Sequence, residues 1–246
     1  MRFLVLSDLH SNIQALQAVL RDARLRGYDR VLCLGDVVGY GANPNEVVDW
    51  LRSQPPHAIV RGNHDKVATG LESGDEFSEI ALEAALWTRE ALSPENMKYL
   101  AELPQGPIDA GGFLISHGTP LLEDAYLLSD LDAAFVFGAA PFTLAFFGHS
   151  HFACAFFVGA DEEVELEMLD GDSHVLPLRE GFRYLVNPGS LGQPRDHDPR
   201  AAYAIFDQEA GEVTVHRVAY DIAAAQSRMA EMGLPAALAQ RLAFGV

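Results

Sequence analysis

At 246 residues and 49% hydrophobic, the chain can bury a full core, and its size suits a single domain over residues 1–246 better than two small ones. A formal net charge of −18 argues against a surface that tracks long DNA or RNA, whose affinity comes largely from Lys and Arg; a short phosphate ester stays open, because bound divalent ions reverse the local potential. No apolar run approaches the ~18–20 residues of a membrane span, and residues 1–6 reach Ser7-Asp8 too early for a secretory core, so we expect a cytoplasmic protein with no membrane partner.

Residues 3–6 form a short continuous apolar run, the pattern of a strand covered on both faces, and deliver Ser7-Asp8-Leu9-His10-Ser11-Asn12 at its end. Ile13, Leu16, Ala18, Val19, Leu20 and Ala23 then give one helical face, with Ser11 or Asn12 as N-cap and Gly27 as the stop. Residues 31–34 repeat the apolar run and empty into Gly35-Asp36, and Asn43-Pro44 opens the next helix. Pro55-Pro56 breaks that helix, and residues 58–60 lead into Arg61-Gly62-Asn63-His64-Asp65. This strand, loop, helix alternation predicts a parallel sheet with helices on both sides and a ligand site beyond the strand C-termini.

Residues 75–103 read as helices beside the site mouth. Residues 113–116 form the next strand, followed by His117, then a helix over residues 130–137. The run Leu144-Ala145-Phe146-Phe147 ends in Gly148-His149-Ser150-His151, whose imidazoles, two residues apart in an extended chain, would point the same way roughly 6.5–7 Å apart. Beyond Phe152, Val164, Leu166 and Met168 alternate with Glu163, Glu165 and Glu167, a strand wet on one face. Further strands near 182–186, 202–206 and 212–218 make this half antiparallel, and a terminal helix or pair from Asp221, broken near Gly233 and Pro235, should only pack. The fold class expected is an α/β sandwich of two mixed sheets flanked by helices, with αββα layers. Cys33 and Cys154 lie in apolar contexts without Cys-x-x-Cys spacing, so buried free thiols are expected.

Five strand-end loops therefore carry Asp8 and His10, Asp36, Asn63 with His64 and Asp65, His117, and His149 with His151. Two carboxylates, one amide oxygen and four imidazoles suit borderline transition metals and are too many for one tetrahedral centre. Two ions about 3.5–4 Å apart need a shared ligand, and Asp36, central in the set, is the choice for it. Such a pair would hold the nonbridging oxygens of a phosphate ester and lower the pKa of a shared water for in-line attack at phosphorus.

The residues and their order resemble the calcineurin-like metallophosphoesterase superfamily, through Asp8-Leu9-His10, Gly35-Asp36, Gly62-Asn63-His64-Asp65, His117 and Gly148-His149-Ser150-His151. Gly39-Tyr40-Gly41-Ala42-Asn43-Pro44 and Asn187-Pro188-Gly189-Ser190 look like its small bacterial phosphodiesterase-type branch. The resemblance implies one metal held by Asp8, His10, Asp36 and His151, and a second by Asp36, Asn63, His117 and His149. It also implies that His64 faces the leaving oxygen and that Asp65 orients its ring. Two divalent ions are implied as cofactors, manganese first, with iron, zinc, cobalt or nickel as alternatives. Arg195, Arg61 and Asn12 are candidates to touch substrate, and His57, His174, His197 and His216 read as surface or packing residues. The expected activity is hydrolysis of a phosphodiester or small phosphorylated metabolite. The alternatives are a protein or dinucleoside-polyphosphate phosphatase of the same superfamily, or a metal-dependent binding scaffold without turnover.

Overall fold

In the computed structural model, which describes residues 1–246, successive side chains of the first strand, β1 (Arg2–Leu6), enter two different cores. Phe3 and Val5 lie in a cluster between two sheets, while Leu4 and Leu6 lie in a cluster beneath helices. A period-2 backbone with apolar residues on both faces leaves no wet side. The chain continues through α1 (Ile13–Arg26), β2 (Arg30–Cys33), α2 (Pro44–Ser53), β3 (Ala58–Ile59), α3 (Asn63–Thr69), α4 (Glu79–Ala91), α5 (Pro94–Ala101), β4 (Ile108–Asp109) and β5 (Leu114–Ile115). It then forms α6 (Asp130–Ala139), β6 (Leu144–Phe146), β7 (Ala153–Val158), β8 (Val164–Met168), β9 (Ser173–Pro177), β10 (Arg183–Pro188), β11 (Ala201–Asp207), β12 (Glu212–Val218), α7 (Ile222–Glu231) and α8 (Ala236–Leu242).

The strands make two six-stranded sheets, ordered β3-β2-β1-β11-β12-β9 and β4-β5-β6-β10-β7-β8. Both are mixed. In the first, β3, β2 and β1 run parallel while β11, β12 and β9 return antiparallel; in the second, β5, β6 and β10 are parallel and β4, β7 and β8 are not. The parallel sheet expected from the N-terminal alternation is thus only half of each sheet, because hairpins from the second half complete both. Phe3, Phe113, Phe146 and Phe206 meet between the sheets, Phe3 stacked on Phe206 and the other pairs edge-on or tilted, with centroids such as Phe3–Phe113 at 5.3 Å. Helices α1 and α2 cover the outer face of the first sheet, and α6 covers the second through Ala133, Val136 and Phe137.

The β8 expectation needs correction. Leu166 and Met168 are 45% and 42% exposed, so its apolar side is not buried while Glu165 and Glu167 are wet. The strand is a sheet edge, and α6 covers only part of it. Phe156 and Phe157, on alternating faces of β7, are core residues. Both cysteines are buried and free, and no helix is long and apolar enough to cross a membrane.

Candidate metal centre

β1 and β2 run parallel in register, Leu6 opposite Cys33, so the loops that follow them leave the sheet side by side. The Asp8 amide donates to the Gly35 carbonyl (3.1 Å), His10 to Asp36 (3.0 Å) and Ser11 to Val37 (3.1 Å). Asp8, His10, Asp36, His149 and His151 all adopt positive φ, between 45° and 66°. Non-glycine residues in this region each cost on the order of 1 kcal/mol or more and persist only where the surroundings over-determine them. Here the conformation turns consecutive polar side chains into one pocket. Glycine clears the way: a Cβ on Gly62 would run into the Asp36 carboxylate, and one on Gly148 into the Ser7 hydroxyl.

The structure gathers all seven proposed donors. Asp8, His10, Asp36 and His151 offer ligand atoms lying within 4.8 Å of one another, and so do Asp36, His117 and His149. Asn63 joins the second group, its Oδ1 3.0 Å from His117 Nε2. Asp36 Oδ1 accepts from the His64 amide (2.9 Å), which leaves Oδ2 at 3.6 Å from His10 Nε2 and 3.5 Å from His117 Nε2. One carboxylate oxygen thus faces both groups.

The imidazoles are oriented from behind. His10 Nδ1 sits 3.1 Å from the Val38 carbonyl, His117 Nδ1 2.9 Å from that of Leu34, and His151 Nδ1 2.5 Å from that of Gln193. Donation at Nδ1 presents the Nε2 lone pair forward, as in metal-ligating histidines. His10 Nε2 and His151 Nε2 then face each other at 3.1 Å; two lone pairs so placed repel unless a cation or proton lies between them. Burial pushes His10 and His151 well below the ordinary histidine range and His149 down to about 3, so these rings are neutral, as ligands must be. Burial also opposes charge on Asp36, yet His117, itself pushed up to about 10 by the Asp36 carboxylate, outweighs it and holds the carboxyl well below its usual value. The donor set therefore fits a pair of borderline divalent cations.

His64, at the first turn of α3, packs among Tyr40 (4.3 Å between centroids), Phe77 (4.5 Å) and His10 (4.9 Å) and lines a cleft of about 590 Å³ with Asp36, Asn63, His149 and His151. Its Nδ1 is buried with no partner. Burial pushes it down to about 4.

Three expected roles are corrected by the contacts. Asp65 does not touch the His64 ring: its carboxylate accepts from the amides of Val38 (3.1 Å) and Gly62 (2.9 Å), satisfying the N-cap amide at the start of α3. Neighbours on a helix diverge by roughly 100°, so Asp65 points back into the loop while His64 faces the cleft. Asn12 caps α1, accepting from Ala15 (3.0 Å) and donating to the Gly192 carbonyl (2.9 Å), and does not line the cleft. Arg61 is engaged by Glu123 at 2.7 Å and lies outside the cleft. Arg195 does line the cleft, bonded to Tyr40 Oη (3.2 Å) and Gln193 Oε1 (3.1 Å).

Several residues that no spacing singled out also build the site. Tyr126 stacks on His149 at 3.9 Å. Lys66, buried on α3, pairs with Glu72 (2.8 Å), Glu123 (3.4 Å) and Asp124, tying that helix to the loop between His117 and Tyr126. Asn187 donates to the Gly148 carbonyl (2.9 Å) and Ser150 Oγ (3.0 Å), and Ser190 to the Asp8 carbonyl (2.9 Å). Arg241 of α8 reaches the same cleft, so the terminal helices do more than pack. None of the other four histidines lines the cleft: His57 bonds the Ala110 carbonyl, His174 meets Glu167 at 2.7 Å, the His197 amide donates to the Gly245 carbonyl, and His216 is buried.

Comparison with known proteins agrees with this geometry. Residues 1–211 match the family model of the calcineurin-like phosphoesterase superfamily domain. An uncharacterized protein of Methanocaldococcus jannaschii is 41% identical over 98% of this chain and 97% of its own. The crystal structure of a metallophosphoesterase from Sphaerobacter thermophilus superposes with a TM-score of 0.88 at 44% identity, covering 100% of this chain and 99% of that one. A hypothetical protein of Pyrococcus horikoshii shares the fold at a TM-score of 0.78 and 19% identity, over 100% of this chain and 98% of its own. Sequence match and shared architecture therefore agree that this chain belongs to the calcineurin-like phosphoesterase superfamily.

Proposed function

We propose that the protein is a dinuclear-metal phosphoesterase acting on phosphodiesters or small phosphorylated metabolites, with manganese the first candidate metal. The observation that carries this reading is the shared Asp36 oxygen, 3.6 and 3.5 Å from imidazole nitrogens of two separate donor groups. Asp8, His10 and His151 would hold one ion and Asn63, His117 and His149 the other, with Asp36 between. Two divalent ions there would neutralise nonbridging phosphate oxygens and supply a nucleophilic water at neutral pH.

The chain's own residues do the rest. His64 lines the cleft, its ring placed to give a proton to a leaving alkoxide, while its buried Nδ1 lies against Gly39. Its resting ring is neutral because burial penalises the charge; a bound anionic ester favours the imidazolium, so the acid form arises with substrate. Tyr40 and Phe77 pack about that ring and limit the water around it. Arg195, bonded to neutral groups only, is free to take a phosphate oxygen. No covalent intermediate on the protein is required.

The test is protein stripped with chelator, reloaded with manganese and offered bis(p-nitrophenyl) phosphate. Chelation should abolish hydrolysis and manganese restore it. A rate untouched by chelation, or a fully loaded protein that cleaves neither aryl phosphodiester nor monoester, would overturn the proposal.

A further inference from the structure

One wall of the cleft carries more positive charge than a single reacting phosphate calls for. Arg195, after β10, and Arg241, on α8, both open onto it. Neither pairs with a side-chain carboxylate, although the chain carries 35 acidic residues against 17 basic ones. Arg195 bonds Tyr40 Oη and Gln193 Oε1, and Arg241 Nε bonds the backbone oxygen of the last residue, Val246, at 2.8 Å, which leaves the rest of its guanidinium to the cleft. Arg195 Nε is buried with no partner at all. Four other cations withdrawn from solvent are paired, Arg61 with Glu123, Arg217 with Asp196, Arg200 with Asp198 and Lys66 with three carboxylates, while Arg89 and Arg183 spend their guanidinium groups on backbone carbonyls away from the cleft.

Two guanidinium groups turned toward one space repel each other. Burial and the charge of Arg195 hold Arg241 below its ordinary value. Carboxylates that could relieve them exist in the same cleft, on the segment holding Glu72, Asp75 and Glu76, but make no ion pair with either. Arg195 bonds Tyr40, whose ring lies 4.7 Å from that of His10, and Gln193, whose carbonyl holds His151 Nδ1, whereas the polar contact of Arg241 is to Val246. Arg195 is therefore the inner cation and Arg241 the outer. The outer one is also firmly carried: Leu238 and Leu242 of α8 pack with Met229 of α7, Ala81 and Ala84 of α4, and Tyr40 from the Asp36 loop.

We propose that Arg241, with the outer edge of Arg195, binds a second phosphate that is not hydrolysed, so that the preferred substrates are phosphate esters carrying a further phosphate group. This rests on the reading above for where the reacting phosphate sits. Two planar forks suit a dianionic tetrahedral group, which accepts several charge-assisted hydrogen bonds at once.

Calorimetry on the manganese-loaded protein with thymidine 3′,5′-bisphosphate and thymidine 5′-monophosphate tests it by affinity alone. The bisphosphate should bind at least about tenfold more tightly, the scale of a charge-assisted contact. Arg241→Gln should remove most of that preference and Arg241→Lys should restore part of it. A wild-type ratio near one, or a ratio that Arg241→Gln leaves unchanged, overturns the assignment. Hydrolysis of the matching p-nitrophenyl esters is scored separately: a preserved affinity ratio without cleavage would sink the esterase reading and leave the second-phosphate site standing.

Discussion

His64 and Asp36 both stand in the cleft, yet they should fail differently when removed. His64 contacts no other donor by hydrogen bond through its ring, so His64→Ala should retain both metals while turnover falls by about 10²–10⁴, the range typical of general acid–base catalysis. Asp36→Ala removes the oxygen shared by both groups and should abolish metal loading. Elemental analysis beside kcat separates the two, and equal metal loss in both variants would contradict the roles. Asp65 belongs to a third category. Its carboxylate satisfies two buried amides, so Asp65→Ala should destabilise the fold by about 1–3 kcal/mol for each amide orphaned, read by denaturant unfolding. A variant as stable as wild type but unable to turn over would reinstate the ring-orienting role. At this scale the donors were legible because each follows an apolar run and needs only its type and place. Asn12, Arg61 and Asp65 were misread because what decides their use is a partner set by folding: Gly192, Glu123 and Val38.

Elements followed the same logic. The runs that became β1, β2 and β6 are apolar on both faces and could hardly be anything else, and the polar loops at their ends marked the site. Helix α3 escaped because its seven residues follow a glycine and begin with Asn-His-Asp, a turn-like composition, and its start is secured by the Asp65 carboxylate, which also reaches into another loop. β4 has only two residues, and β9 is an edge strand ending in Pro177, which edges tolerate. The role of α8 was invisible, since Arg241 reaches the cleft only after α7 and α8 pack on α4 and Tyr40. β12 carries a testable consequence of burial. His216 is buried against Tyr203 with its Nδ1 unpartnered, and burial pushes it down to about 4. The unfolded chain, with an ordinary value near 6.5, takes up the proton first as pH falls. Stability should therefore drop as pH is lowered from about 6.5 toward 4, and His216→Phe should shed that part of the slope. Melting curves across this window check it; parallel curves for variant and wild type would refute it.

Over the whole molecule, two sheets share one apolar core and end together, so loops from distant parts of the sequence converge on one rim. The formal charge of −18 leaves positive potential only local, at Arg195 and Arg241 in the cleft and at whatever cations the donor groups hold. The central claim is that the seven donors hold two ions about Asp36. Anomalous scattering from crystals grown with saturating manganese tests it most directly. The account predicts two peaks roughly 3.5–4 Å apart on either side of the Asp36 carboxylate, and a single peak, or none, at full saturation would contradict it.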